Sequence, residues 1–289
     1  MIENNMDNRQ IWQSQNFLKR PEFVANLVDR TNLTNNDLVI EIGPGKGIIT
    51  KELVKRVGKV IAVEKDKKLA ANLQLTFHTS PQVEIIEADF MKWRLPKEPY
   101  KVFSNIPFNM TADIVNKLTE DKNPPEESFL IMQDKAAFRF IGKPKESQTS
   151  ILLKPWFNIN IISNIDRKEF SPVPNINAVL VEFSKKDQPQ VELQSRQSFR
   201  DFVIYGYNQW QPTIMDSFKN VFSSKQRSIA EREIMIRGKK PSDLSLEQWL
   251  KLFETFSFYV PNEKKEIIKG AETKLEKQQS KQQKWHRTR

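Results

Sequence analysis

An α/β fold with a mostly parallel sheet, followed by a small all-helical domain, is what three observations in this chain predict. Short β-branched runs alternate with helix-patterned stretches through the first two thirds. A glycine-rich turn, Gly43-Pro44-Gly45-Lys46-Gly47, joins the first of those runs to the first helix that follows it. Past Gln188-Pro189 the apolar period becomes helical. Alternation of this kind puts a helix across each crossover, so the strands are covered on both faces and read as continuous apolar runs.

The elements follow in order. Asp37-Leu38-Val39-Ile40-Glu41-Ile42 predicts a buried strand, then the glycine turn, then a helix in which Ile49, Leu53 and Val57 recur at four-residue spacing and Gly58 is the expected C′ stop. Lys59 to Glu64 predicts the next strand, a polar helix runs to about His78, and Val83 to Asp89 predicts the third strand. Lys101 to Ser104, Ser128 to Met132 and Ala178 to Phe183 continue the sheet, and Lys185-Lys186-Asp187-Gln188-Pro189 reads as a linker. Beyond it Ile214, Phe218, Val221 and Phe222 mark one amphipathic helix; Leu246, Trp249, Leu250 and Phe253 mark another, opened by the capping-box pair Ser245 and Gln248. These aromatics are expected in the core. From Lys264 on, nine Lys/Arg stand against three Glu with little apolar content, which predicts a disordered basic tail. The expected division is 1–187 for the sheet domain, 188–265 for the helical domain and 266–289 for the tail.

Composition narrows the chemistry. A chain of 289 residues is long enough for one large domain and a smaller one. The formal net charge of +10 points to a polyanionic partner. No cysteine occurs, which removes disulfides, thiolate zinc sites, cysteine nucleophiles and cysteine-held iron-sulfur clusters. With only His78 and His286, no histidine-rich metal site is expected either. The polar start from Met1 to Gln10 has no apolar core of a signal peptide, and no run reaches membrane-spanning length. A cytoplasmic, metal-free monomer is the expectation.

Two motifs carry chemistry. The spacing Gly43-x-Gly45-x-Gly47 is tighter than the G-x-G-x-x-G of a dinucleotide turn. Glu41 stands just inside the preceding strand, Glu64 ends the next strand, and Asp89 ends the third with Phe90 beside it. Glu64 is placed to accept two ribose hydroxyls, Asp89 to accept from an adenine amino group, and Phe90 to flank the ring. Taken singly each acid is more often a solvated strand end or a cap. Three of them around one glycine turn would repel a pyrophosphate and suit a cationic sulfonium, which points to S-adenosylmethionine. The second motif is Ser104-Asn105-Ile106-Pro107-Phe108. An exocyclic adenine amine is a poor nucleophile because its lone pair is delocalised into the ring. Two acceptors aimed at its protons, the Asn105 side-chain oxygen and the Ile106 carbonyl, would favour a pyramidal nitrogen. Pro107 stiffens the turn and Phe108 offers a stacking face. A nicotinamide dehydrogenase is disfavoured by the glycine spacing and by the lack of a histidine or lysine proton donor near a strand end.

With these motifs in order, the chain resembles the Erm family of ribosomal RNA adenine N6-methyltransferases, from about Trp12 to Val260. Ser14-Gln15-Asn16-Phe17-Leu18 is similar to the family's opening segment, which implies Asn16 and Leu18 beside the cofactor. Asn105-Ile106-Pro107-Phe108 is similar to its acceptor turn, with Phe where many members carry Tyr, and implies that Asn105 also lies beside the cofactor. Phe170-Ser171-Pro172-Val173-Pro174 is similar to the late loop whose aromatic is thought to clamp the flipped base. The resemblance implies a Rossmann-like S-adenosylmethionine-dependent methyltransferase sheet with a small C-terminal all-helical domain. It also implies methyl transfer to one adenine of 23S ribosomal RNA, giving resistance to macrolide, lincosamide and streptogramin B antibiotics. Relatives that dimethylate paired adenines of small-subunit RNA share nearly all of this but usually read Asn-Leu-Pro-Tyr, so Ile106 favours the Erm side. A non-catalytic nucleic-acid-binding relative is the third reading, opposed by the intact acceptor turn and acids.

Overall fold

The computed structural model describes the backbone of residues 17–287 and side chains to residue 280. A short strand, β1 (Phe17–Leu18), precedes a seven-stranded sheet built from β2 (Leu38–Ile42), β3 (Lys59–Glu64), β4 (Val83–Glu87), β5 (Lys101–Asn105), β6 (Glu127–Gln133), β7 (Phe157–Ile165) and, after the two-residue β8 (Phe170–Ser171), β9 (Ala178–Lys185). The spatial order is β4-β3-β2-β5-β6-β9-β7. Strands β4, β3, β2, β5 and β6 are mutually parallel, and β9 joins β6 antiparallel from Glu127↔Ser184 to Gln133↔Ala178. The predicted α/β class is the one observed.

The sheet's direction of growth reverses beside β2, and that reversal positions the site. From β2 the chain moves outward to β3 and β4, then returns to lay β5 and β6 on the other side. At such a switch point the two crossover loops part and leave a crevice outside the carboxyl ends of the strands. The ladder records the parting: β2 and β5 pair only at Val39↔Lys101 and Ile40↔Val102. Beyond that register the Ser104 hydroxyl, fully buried, donates to the Ile42 carbonyl at 2.6 Å. That bond satisfies the freed backbone acceptor where the strands separate.

The chain forms two compact units. Of the described residues, one takes 17–137 together with Asn158–Lys185; the other takes Phe138–Phe157 with 186–287. The first has a core of Val24, Leu27, Val39, Leu53, Val60, Phe103, Phe129, Ile131 and Leu180, all at or near zero exposure. In the second the core is aromatic. Phe202 stacks on Phe218 at 4.5 Å and meets Trp249 edge-on at 6.0 Å, while Phe199 meets Phe253 at 5.2 Å. Gly206 is required there, because a Cβ would lie 2.8 Å from the Trp249 ring and 3.0 Å from Phe218.

Several elements differ from the sequence expectation. The first helix after the glycine turn is Ile48–Leu53, and Gly58 is no helix stop: a Cβ there would lie 2.4 Å from the Asn35 carbonyl oxygen, so the residue serves a close backbone approach. Strand β7 and the helices Asp134–Ile141 and Gln148–Leu153 are additional elements. Ile214 to Phe222 is not one helix. The turn Ile214–Ser217 ends at Phe218, and a new helix, Ser224–Glu233, starts at the capping box of Ser223 and Gln226. Helix Leu246–Tyr259 opens on the expected Ser245 and Gln248 pair.

The stretch expected as a disordered tail is instead helical over Ala271–Arg287. Buried Asp201 accepts the N–H groups of Gly270 at 2.9 Å and Glu272 at 3.0 Å, satisfying donors at the helix start. Glu272 in turn binds Arg200 and Gln197. Those anchors supply what composition alone does not show.

Candidate functional site

The glycine turn leaves β2 at the switch point, and each glycine is needed for a different reason. All three have positive φ: 63° at Gly43, 58° at Gly45 and 76° at Gly47. A Cβ on Gly45 would lie 2.6 Å from the Phe17 ring, and one on Gly47 would lie 2.7 Å from Leu73. A Cβ on Gly43 would meet nothing within 4 Å, so the backbone there is open to an incoming group. The turn is held by its own amides. Gly43 N–H donates to the Val63 carbonyl at 2.9 Å and Gly47 N–H to the Pro44 carbonyl at 2.9 Å. Gly45 N–H donates to Glu64 Oε2 at 3.0 Å.

The three acids do three different things. Glu64, 3% exposed at the end of β3, accepts from Gly45 on one oxygen and from Asp66 N–H at 2.8 Å on the other, which leaves each oxygen a further lone pair. Glu41 lies behind the turn, 1% exposed, and accepts from the Thr50 hydroxyl at 2.6 Å. Burial, with the nearby Glu64 charge, pushes its carboxyl up to about 8 against the opposing Thr50 bond. Asp89 sits two residues beyond β4. Desolvation would raise its carboxyl, but the ion pair with Lys65 at 3.0 Å, the Met91 N–H at 3.0 Å and the charge of Lys92 together lower it. Asp89 is therefore held as an anion. Phe90, 6% exposed, packs against Trp93 at 6.4 Å with the Lys117 ammonium 5.1 Å from its ring centroid.

Asn105 ends β5, paired with Ile131 of β6, and is half-buried. The next residue, Ile106, is 2% exposed and its N–H reaches the Ile131 carbonyl at 3.3 Å. Pro107 turns the chain into a single 3₁₀ turn, Phe108–Met110, closed by the Met110 N–H on the Pro107 carbonyl at 2.9 Å. Phe108 is half-buried against the core. The strands bring the glycine turn and the Asn105 turn to the same end of the sheet, on β2 and its neighbour β5.

Phe170 is placed differently from the sequence expectation. β1 and β8 pair antiparallel at Phe17↔Ser171 and Leu18↔Phe170, so both side chains enter the core, Leu18 at 5% and Phe170 at 0% exposure. Phe170 meets Phe108 edge-on, ring centroids 6.4 Å apart and planes at 76°. Two rings that clamp a base lie parallel with room for a third between them. This pair is closed, and Phe170 offers a base no face in the structure described. Asn16 lies outside the described residues.

Sequence reasoning missed two supports. Phe17 covers Gly45 and carries the Lys46 ammonium 5.7 Å from its ring centroid. Arg20 pairs with Glu169 through Nε at 2.8 Å and Nη2 at 2.5 Å, fastening the opening segment to the late loop. The aromatic inside Asn-Phe-Leu was a usable signal for the first; nothing local signals the second. A separate cleft of about 750 Å³ beside Phe90 is lined by Met91–Lys97 and by Asp113, Asn116 and Lys117 of helix Thr111–Glu120; none of the predicted residues lines it. Among the described residues, no group of His, Cys, Asp and Glu is arranged to hold a metal, and no helix is long and apolar enough to cross a membrane.

Residues 6–257 match the ribosomal RNA adenine dimethylase family. Similar proteins include an rRNA adenine N-6-methyltransferase of Bacillus licheniformis, 29% identical over 257 residues, covering 88% of this chain and 89% of the relative. They also include a ribosomal RNA small subunit methyltransferase A of Mycoplasma mycoides subsp. mycoides, 26% identical over 254 residues, covering 84% of this chain and 95% of the relative. The crystal structure of the 23S rRNA methyltransferase ErmE superimposes with a TM-score of 0.76 at 25% identity, covering 84% of this chain and all of that one. The chain belongs to the ribosomal RNA adenine dimethylase family and is an S-adenosylmethionine-dependent rRNA adenine N6-methyltransferase.

Proposed function

We propose that the chain methylates one adenine of 23S ribosomal RNA, as an Erm-type enzyme conferring resistance to macrolide, lincosamide and streptogramin B antibiotics. The observation that carries the reading is the Asn105-Ile106-Pro107-Phe108 turn at the carboxyl end of β5, one strand away from the open backbone of Gly43. Ile106 in place of the usual Leu, and the similarity to ErmE, favour 23S over small-subunit RNA.

The residues fit S-adenosylmethionine: an open Gly43, the Glu64 carboxylate at the end of β3 and the Asp89 carboxylate just past β4. Bound there, the cofactor supplies an electrophilic methyl on a sulfonium. In this reading Gly43 gives backbone approach, Gly45 and Gly47 let the turn pack against Phe17 and Leu73, and Glu64 takes the ribose hydroxyls on its remaining lone pairs. Asp89 accepts from the adenine amine, with Phe90 on the inner wall of that pocket, and Glu41 braces the turn through Thr50. Leu18 shapes the wall from the core. Asn105 Oδ1 and the Ile106 carbonyl accept the protons of the target amine, Pro107 fixes their spacing, and Phe108 stacks on the extruded base. The methylated nitrogen becomes acidic and releases its proton without a strong base. Rate then rests on positioning and on preorganised dipoles. Phe170 acts by backing Phe108.

Labelled S-adenosylmethionine with deproteinised 23S and 16S RNA, followed by mapping of the modified base, tests this. Label at a single 23S adenine is expected. Label at paired 16S adenines would assign the chain to the small-subunit enzymes, whose relatives it also resembles. Binding without label would make it a non-catalytic relative.

A further inference from the structure

The turn that follows β4 is bonded on one side by the acid it presents and on the other by a side chain from a different element. Asp89 takes up its N–H groups: the Asp89 carbonyl accepts from Lys92 and Trp93, each at 2.9 Å, and Oδ1 accepts from Met91 at 3.0 Å. Two carbonyls of the turn are taken by Lys117, whose ammonium donates to Met91 at 3.1 Å and to Trp93 at 2.5 Å. The same ammonium stands 5.1 Å from the Phe90 ring centroid. Two carbonyl oxygens and a ring face are partners that an ammonium can use in a half-buried place. Desolvation lowers the pKa of Lys117, against the charges of Asp121 and Asp89.

Lys117 lies on helix Thr111–Glu120, which grows out of the Asn105 turn. The Thr111 hydroxyl donates to the Phe108 carbonyl at 3.0 Å, and buried Ile114 and Leu118 anchor the helix on the core. Lys117 stands at the margin of that buried face and lines the cleft of about 750 Å³ together with Met91 and Trp93. The turn is open to the cleft on this side, so the ammonium supplies the restraint that packing does not. The other charged partner of Asp89, Lys65, is 67% exposed, and an ion pair at the surface fixes geometry weakly. The direction of the Asp89 carboxylate therefore depends on the Met91 amide, and the place of that amide depends on Lys117.

We infer that Lys117 is a positioning residue for cofactor specificity: by fixing the turn Asp89–Trp93 from helix Thr111–Glu120, it holds the Asp89 carboxylate where it selects a purine bearing an exocyclic amine. The inference rests on the reading of Asp89 as the acceptor for the cofactor's adenine. It adds that the choice of adenine over a purine with a carbonyl at the same position is set by a residue acting through the Asp89 turn. One helix thereby serves both turns, its start closing the Asn105 turn and its Lys117 closing the adenine turn.

The test measures the calorimetric affinity of the full chain for two compounds. One is S-adenosylhomocysteine, the product left by methyl transfer; the other is S-inosylhomocysteine, with a carbonyl oxygen where adenine carries its amine. The inosyl compound sets an acceptor against the Asp89 carboxylate, so the parent should prefer the adenosyl compound by about tenfold or more. Lys117→Met keeps a side chain of similar length and removes the donors. It should weaken binding of the adenosyl compound by about tenfold and leave the inosyl compound nearly unchanged, so that the preference disappears. Lys117→Gln retains an N–H donor group and should show an intermediate preference, which keeps the comparison available if the Met variant does not fold. An equal loss for both compounds, or the parental preference in the variants that fold, would overturn the positioning role and leave the Asp89 reading standing. A parent that binds the two compounds equally would overturn that reading and the inference with it.

Discussion

The glycine turn and the Asn105 turn lie at the same end of the sheet, yet they are built in opposite ways. At the first, the three glycine amides are bonded within the protein: Gly43 to Val63, Gly45 to Glu64, Gly47 to Pro44, with an open face at Gly43. At the second, Phe108 lies edge-on against a fully buried Phe170. The cofactor side is preformed, and the base side is closed on itself. A small, rigid ligand can use a rigid cradle. A base that must leave its stack needs a surface that exchanges a protein contact for a base contact, at little net cost.

The two rings at the closed side should respond differently. Phe170→Ala removes a ring from the core and should lower stability by about 3–5 kcal/mol, measured by denaturant titration. A loss under 1 kcal/mol would show that Phe170 is free to serve as a clamp. On the preformed side, Glu64→Ala deletes a charged acceptor worth roughly 1.5–3 kcal/mol per hydrogen bond. Calorimetry should report at least tenfold weaker S-adenosylmethionine binding. Unchanged affinity would leave Glu64 as a brace for Gly45 alone. Phe108→Ala should reduce RNA methylation with little effect on folding, since stacking contributes about 1–3 kcal/mol, and Phe108→Tyr should be nearly silent. Equal turnover of the two variants would remove the stacking role.

A further effect concerns pH. Buried Glu41 holds its proton up to about pH 8 in the fold, against an ordinary value of 4.5. Between those values the folded chain binds more protons than the unfolded one, so this group's contribution to stability is complete below the lower value and is lost as pH rises through the upper. Glu41→Gln keeps an acceptor for Thr50 and removes the titration. The melting temperature of the variant should gain on the parent from pH 5 to pH 8 and then level off, in cofactor-free protein. Parallel curves would show Glu41 ionised in the fold.

How much of this the sequence revealed follows the range of the interactions. Strand β3 was legible to the residue, because Lys59-Val60-Ile61-Ala62-Val63-Glu64 is a closed local pattern. The glycine spacing and the Asn105 motif were legible for the same reason. Burial of Phe170 was not, since it depends on pairing between Leu18 and a strand about 150 residues away. Gly58 was misread because its constraint comes from the Asn35 carbonyl and not from a helix end. The break after Ser217 did have a local signal, the Ser223 and Gln226 capping pair, which the apolar spacing of Phe218 and Phe222 obscured. The C-terminal helix depends on Asp201 and Arg200, two residues that composition of the final segment cannot reveal.

The most direct test of the division between a preformed cofactor cradle and a separate acceptor turn is the single-turnover rate of Asn105→Ala with labelled S-adenosylmethionine held at saturation. If Asn105 serves the acceptor amine, transfer to ribosomal RNA should slow by roughly 10²–10³-fold, the usual loss when one preorganised group at a reacting centre is removed. A rate within a few-fold of the parent under saturating cofactor would contradict the assignment.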